Sequence, residues 1–287
     1  MVCENCSAQA RLLGALASEI EQLRLGRWEL FGLLGLPCAR LIETFGVSPS
    51  HRFDPLSLAA REAGVCRHDP LYPAGLAHLS CPPSACFVGG GASSRLAELL
   101  SRPVVAIVGS RRCTYYARDS AFALARDLSA AGVTVLSGLS AGVEASAQHG
   151  ALAGGGSPIV VMAGGASVAL PVQHDRLYER VVSEGLALSE LPPRFAAPQP
   201  WCYLARNRLL AALAQIVVVV EARETSGTLF VAEVALRLGR EVAVLPGRAC
   251  DESAAGSNAL LRDGASVVLE ASDVLGLLGG VSAPVAA

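Results

Sequence analysis

From Val104 onward the chain alternates short apolar runs with amphipathic stretches, and this alternation constrains its fold more than any other feature. The apolar runs are Val104–Val108, Val133–Ser137, Ile159–Ala163, Leu186–Leu188, Ile216–Glu221, Glu241–Leu245 and Ser266–Leu269. Rich in β-branched residues and too short for helices, they read as buried strands. Helical spacing recurs between them, near Tyr115–Ala131, Val143–Ala153, Asp175–Ser183, Tyr203–Ala214, Leu229–Leu238 and Ser257–Arg262. Strands alternating with helices imply an α/β fold, a mainly parallel sheet with helices on both faces. Ligands of such sheets bind in a crevice outside the carboxyl ends of the strands. The residues at those ends are therefore the first place to look for function.

After the first strand come Gly109, Ser110, Arg111, Arg112 and Thr114. A small-residue turn that feeds a helix aims free backbone N–H groups at one spot, and the helix dipole favours an anion there. This loop is either a phosphate-gripping turn or an ordinary connection with solvated arginines. Taken alone it does not separate the two. The second strand ends in Ser137-Gly138-Leu139-Ser140-Ala141-Gly142, the third in Gly164 and Gly165, the fifth in Arg223 to Gly227 with Ser226, and the sixth in Pro246-Gly247. Glycine and serine at strand ends let a ligand approach the backbone closely. Short connections use glycine in any case, which accounts for part of the pattern but not for the arginines. Arg206-Asn207-Arg208, early in a helix, offers bidentate phosphate contacts and an amide. Two arginines so spaced are not expected both to face the core. Trp201 and Tyr203 nearby are candidates for stacking on bases, and the alternative for the segment is a solvated helix start.

Several chemistries are disfavoured. All 23 basic residues are arginine, so a phosphate loop of the Walker type, which needs lysine, is excluded. The five histidines form no triad motif or H-E-x-x-H, and no G-x-G-x-x-G follows a strand, so neither a catalytic set nor a dinucleotide cofactor is expected. Glu144 and Glu190 stand at strand ends as a general base or as acceptors of loop amides, and the lack of partner residues favours acceptors. Nine cysteines, an odd number, suggest reduced thiols. Cys3 and Cys6 form a C-x-x-C, but a structural zinc needs a second pair. Cys81 and Cys86 lie far away at a poor spacing, and no metal site is expected. No apolar run reaches membrane-span length and the start MVCENC is not a secretion signal, so the chain is expected in the cytoplasm. A net charge of −2 argues against indiscriminate nucleic-acid binding.

The first third reads differently. Helical spacing over Ala8–Leu25, Trp28–Leu34 and Leu41–Phe45, without a basic cluster, suggests a small packing domain over residues 1–65. The α/β domain is assigned to 66–280, with 281–287 a flexible tail. The prolines after Asp69 exclude a long helix, and Ala85–Val88 reads as a short edge strand.

The series DPLYPAGL, GSRRCTYYA, SGLSAGVEASAQHGAL, SELPP, ARNRLLAAL, VVVVEARETSGTL, GREVAVLPG and AAGSNALLRDGA, in this order over about Asp69 to Gly264, closely resembles the DNA-processing protein A family (DprA, also called Smf). The resemblance implies an extended Rossmann-like domain, preceded by a small helical domain, that binds single-stranded DNA without sequence preference. It also implies a role in natural transformation or recombination, delivery of the strand to the RecA recombinase, and a homodimer built through the part after about Ile216. Some motifs depart from the family. Where members read G-I-D-x-x-A-H, this chain has Gly142-Val143-Glu144-Ala145-Ser146-Ala147-Gln148, with His149 one place late. Thr114-Tyr115-Tyr116-Ala117 replaces S-x-Y-G, the groove lysines of many members are absent, and the ending near Val281 is expected to leave no room for a winged-helix domain. An enzymatic alternative is the nucleotide phosphoribohydrolases of similar scaffold. They carry P-G-G-x-G-T-x-x-E, and here Thr225-Ser226-Gly227-Thr228 is followed three places on by Val231 rather than by glutamate.

Overall fold

The structure, a computed structural model, describes residues 2–46 and 63–280; the tail assigned to 281–287 lies outside the described residues. Four short helices open the chain: α1 (Glu4–Ala15), α2 (Ala17–Gln22), α3 (Arg27–Leu34) and α4 (Cys38–Phe45). The one helix expected over Ala8–Leu25 is thus two, divided at Leu16, whose φ of −88° and ψ of 7° leave the helical region. Next come β1 (Gly64–Cys66), α5 (Ala74–Ala77), β2 (Ala85–Gly89) and α6 (Ser93–Leu100). The alternating part then runs β3 (Val104–Val108), α7 (Tyr115–Ala130), β4 (Thr134–Ser137), α8 (Val143–Ala153), β5 (Ile159–Val161), α9 (Asp175–Glu184), β6 (Leu186–Ser189), α10 (Pro200–Leu213), β7 (Ile216–Val219), α11 (Thr228–Arg237), β8 (Glu241–Val244), α12 (Ala255–Arg262), β9 (Ser266–Val267) and α13 (Ala271–Gly280).

Among the described residues the strands form one nine-stranded sheet, in the order β1-β2-β6-β5-β4-β3-β7-β8-β9. It is parallel from β6 to β9 and antiparallel where β2 meets β6 and β1 meets β2. The expected α/β architecture is therefore present, with one correction. The Ala85–Val88 segment is not an edge strand, because β2 is paired on both sides and all five of its residues are buried. Its neighbour β1 has only three residues, too few for a period to show. Since β1 belongs to the sheet, the boundary drawn between residues 65 and 66 falls inside a strand.

Alternation along the strands divides the core in two. Val104, Ala106 and Val108 of β3 face one layer with Val217 and Val219 of β7, while Val105 and Ile107 face the other with Ile216, Val218 and Val220. The first layer also contains Leu12, Leu16, Leu30 and Phe31 from the N-terminal helices. Between those helices and the sheet lies α10, buried at every position from Ala205 to Leu213. Trp201 anchors its start, donating its indole N–H to the Ala17 carbonyl at 2.9 Å. No described helix is long and apolar enough to cross a membrane.

Candidate functional site

The strand order reverses between β3 and β7: β4, β5 and β6 extend the sheet one way, β7, β8 and β9 the other. The loops leaving β3 and β7 at this switch point separate and open a crevice. Backbone bonds hold its first wall, with the Ser110 N–H donating to the Glu221 carbonyl at 2.8 Å and the Ser110 carbonyl accepting from the Val143 N–H at 3.2 Å. This fixed loop presents Arg111 to solvent, its guanidinium carbon 4.6 Å from the centre of the Tyr203 ring. That separation is a cation–π contact, which holds the side chain in place and leaves its N–H groups free to bind an anion.

Arg111 stands where three cavities meet. One, lined by Ser110, Arg111, Arg112, Arg223, Thr225 and Ser226, is bordered by three arginines and three hydroxyls without a carboxylate. The second lies deeper at the switch point, against Gly109, Glu144, Arg206, Asn207, Ser226 and Gly227. The third continues over the ends of β4 and β5, against Leu139, Ser140, Gly164, Tyr203 and Arg206. Volumes of about 300, 230 and 300 Å³ put each at or below the lower end for a small-molecule pocket, so a connected row suits an extended ligand better than one enclosed cofactor.

Under the crevice lies a buried ion pair. Arg206 donates to Glu144 through Nη1 at 2.7 Å and Nη2 at 3.4 Å, with the two side chains 5% and 8% exposed. Burial alone would raise the Glu144 pKa. The Arg206 charge, together with hydrogen bonds from Arg206 and from the Ser140 N–H at 2.9 Å, outweighs it and holds the carboxyl below its ordinary value. Gly138 is required here, because a Cβ at this position would stand 2.0 Å from Arg206 Nη1 and 2.3 Å from Glu144 Oε2. Gly142 has φ of +80°, and a Cβ on it would meet the Ser110 carbonyl at 2.4 Å. Both glycines therefore serve the packing of the site. Asn207 bridges to the far wall, its Nδ2 donating to the Gly227 carbonyl at 3.2 Å.

The structure thus gathers Gly109, Ser110, Arg111, Leu139, Gly164, Arg206, Asn207, Ser226 and Gly227 around one crevice and places the other expected residues in supporting roles. Thr114 caps α7, accepting from the Ala117 N–H at 3.1 Å and donating to Glu221 at 2.7 Å. Ser137 is buried and donates to the Ile107 carbonyl at 2.6 Å. Gly165 packs against Pro193 and donates its N–H to the Phe195 carbonyl at 2.7 Å.

Arg208 is the clearest correction. It is 2% exposed and points into the core, where Nη2 donates to Glu190 at 2.6 Å and Nη1 reaches both Glu190 and the Ala205 carbonyl. Burial works against its charge, but the Glu190 carboxylate more than offsets this and its pKa is raised. Arg206 and Arg208 are therefore both buried, against expectation, because α10 is covered on opposite sides and each arginine meets its own carboxylate. Trp201, 4% exposed, is likewise unavailable for stacking. Arg112 and Arg223 are contributors that the site assignment passed over. They are exposed, and their signal was basic residues at two neighbouring strand ends.

These features define a class: a Rossmann-like α/β protein with an arginine- and tyrosine-lined crevice at its switch point. The chain belongs to the DNA recombination-mediator protein A family, whose model matches residues 64–279. It is similar to a DNA processing protein DprA from Mycobacterium tuberculosis, 38% identical over 188 residues, 66% of this chain and 48% of that one. The chain therefore spans about half the length of the curated mycobacterial relatives it matches. Among solved structures it is similar to DprA from Streptococcus pneumoniae, with a TM-score of 0.75 and 27% identity, covering 96% of this chain and 98% of that one. It is also similar to DprA from Helicobacter pylori, described for its single-stranded DNA binding mode, with a TM-score of 0.67 and 28% identity over 77% of this chain and 97% of that one.

Proposed function

We propose that this protein binds single-stranded DNA without sequence preference along the crevice and delivers it to the RecA recombinase in natural transformation or recombination, acting in the cytoplasm as a non-catalytic homodimer. The observation that carries the reading is the cavity of Arg111, Arg112 and Arg223 with Ser110, Thr225 and Ser226. Guanidinium groups and hydroxyls without a competing carboxylate suit phosphate. Tyr203 beside them supplies a ring on which a base of any identity stacks. The single-stranded DNA binding attributed to the Helicobacter pylori relative supports the choice of polymer. The RecA role rests on the family resemblance.

A non-catalytic role is supported by three buried carboxylates at the strand ends, each of which is engaged: Glu144 with Arg206, Glu190 with Arg208, and Glu221 with Thr114. The phosphoribohydrolase alternative lacks its glutamate, since Val231 is 1% exposed and packed in the core. Support for self-association comes from the β9 end of the sheet, where Val267 and Leu269 are 56% and 69% exposed. The test is fluorescence anisotropy with labelled single strands and single-stranded, duplex and mononucleotide competitors over a salt series. Single strands should compete best, and log K should fall with log salt at roughly −0.7 per phosphate contacted. Equal competition by duplex, or no salt dependence, would overturn the reading.

A further inference from the structure

A second cluster of reactive side chains lies at the β1 edge of the sheet, away from the switch point. Cys3, Cys6, Cys66 and His68 bring three sulfur atoms and a ring nitrogen together, all within 4.8 Å of one another. We propose that these four side chains bind one zinc ion as a tetrahedral Cys3His site that fastens the N-terminal helix to the edge of the sheet.

The distances fit that ion. Zinc at about 2.3 Å from each sulfur and about 2.05 Å from nitrogen, at tetrahedral angles, requires sulfur and nitrogen to stand about 3.6 Å apart. From His68 Nδ1 the separations are 3.4 Å to Cys3, 3.6 Å to Cys6 and 4.0 Å to Cys66. Thiolate-rich donors in this geometry select zinc over magnesium or calcium, which prefer oxygen.

The backbone presents the donors as two short turns. Cys3 is the N-cap of α1 and Cys6 lies in its first turn, so the C-x-x-C sets both sulfurs at the start of one helix. Cys66 ends β1, and its carbonyl accepts from the Asp69 N–H at 2.8 Å, closing a turn that projects His68. The pair missing beside Cys3 and Cys6 is therefore Cys66-x-His68, brought from some 60 residues away. Cys81, Cys86 and Cys202 are buried as well, but none of them joins such a group of ligating side chains among the described residues.

A bound ion would close the chain from α1 to β1, which gives the site a structural role. β1 lies three strands from β5, the nearest strand of the crevice, roughly 14 Å at about 4.8 Å per strand, so the site does not share ligands with the crevice.

The test is elemental analysis of the full-length protein purified under reducing conditions with zinc supplied, together with thiol counting. About one zinc per chain is expected, and Co2+ in its place should show the visible d–d bands of tetrahedral coordination. His68 is exposed, so His68→Ala should fold, lose most of the zinc and melt at a lower temperature. His68→Cys should retain the metal, and Cys250→Ser, at an exposed cysteine outside the cluster, should change nothing. Folded wild-type protein without stoichiometric zinc, a Cys3–Cys6 disulfide under these conditions, or zinc that survives His68→Ala would each overturn the proposal.

Discussion

Replacing Arg208 with methionine separates a core role for this arginine from a groove role. The guanidinium makes two charged hydrogen bonds to Glu190 and one each to the Ala205 and Cys81 carbonyls, in a setting where the two charged side chains are 2% and 8% exposed. Methionine fills much of the same volume but leaves the Glu190 carboxylate buried without a counter-charge. Removing one partner of such a pair costs about 3–5 kcal/mol. For a domain of this size, at about 2–4 °C per kcal/mol, the melting temperature should fall by roughly 6–20 °C. Replacing both partners, Arg208→Met with Glu190→Leu, removes the stranded charge and should recover most of the loss. The assay is thermal and urea unfolding of the single and double variants, with single-strand affinity measured per folded molecule. Unchanged melting with weakened DNA binding would place Arg208 on the ligand and refute the reasoning.

Acid should act through Glu144, whose pKa is held below its ordinary value of 4.5. A depressed carboxyl contributes stability above 4.5 that is lost as pH falls through its folded value, so wild-type urea midpoints should drop as pH is taken below 4.5 and Glu144→Gln should flatten that limb; an identical acid limb in the variant would contradict the assignment. At the β9 edge, light scattering at micromolar concentration should give twice the 29.5 kDa chain mass, and Leu269→Glu should return it to 29.5 kDa. A wild-type particle of 29.5 kDa would count against the homodimer.

What was legible in the sequence was local. The run Val104–Val108 is a strand with those bounds, set between Pro103 and Gly109, and Val143–Ala153 is a helix with those bounds, set between Gly142 and Gly154. The crevice was legible because strand ends in parallel sheets converge, which brought Gly109, Arg111, Ser140, Ser226 and Gly227 together by topology alone. What was not legible depends on partners distant in sequence. Arg206 and Arg208 look solvent-exposed until Glu144, 62 residues away, and Glu190, 18 away, are placed beside them. The covering of α10 by the N-terminal helices is equally non-local, and it turns Trp201 and Arg208 from surface candidates into core. Three-residue β1 carries no period, so the turn that sets His68 beside Cys3 and Cys6 was invisible as well.

The central claim is that the crevice at the switch point grips the phosphates of a single strand, and Arg111 tests it most directly. This arginine borders all three cavities, rests on Tyr203, and leaves Glu144 to Arg206, so the fold does not depend on it. Arg111→Ala should weaken single-strand binding by about 1–3 kcal/mol, the scale of a charge-assisted hydrogen bond, and leave the melting temperature within about 2 °C of wild type. Filter binding and thermal melting on the same preparation give both numbers. Wild-type affinity in the folded variant, or a loss of binding that only follows a loss of folding, would contradict the account.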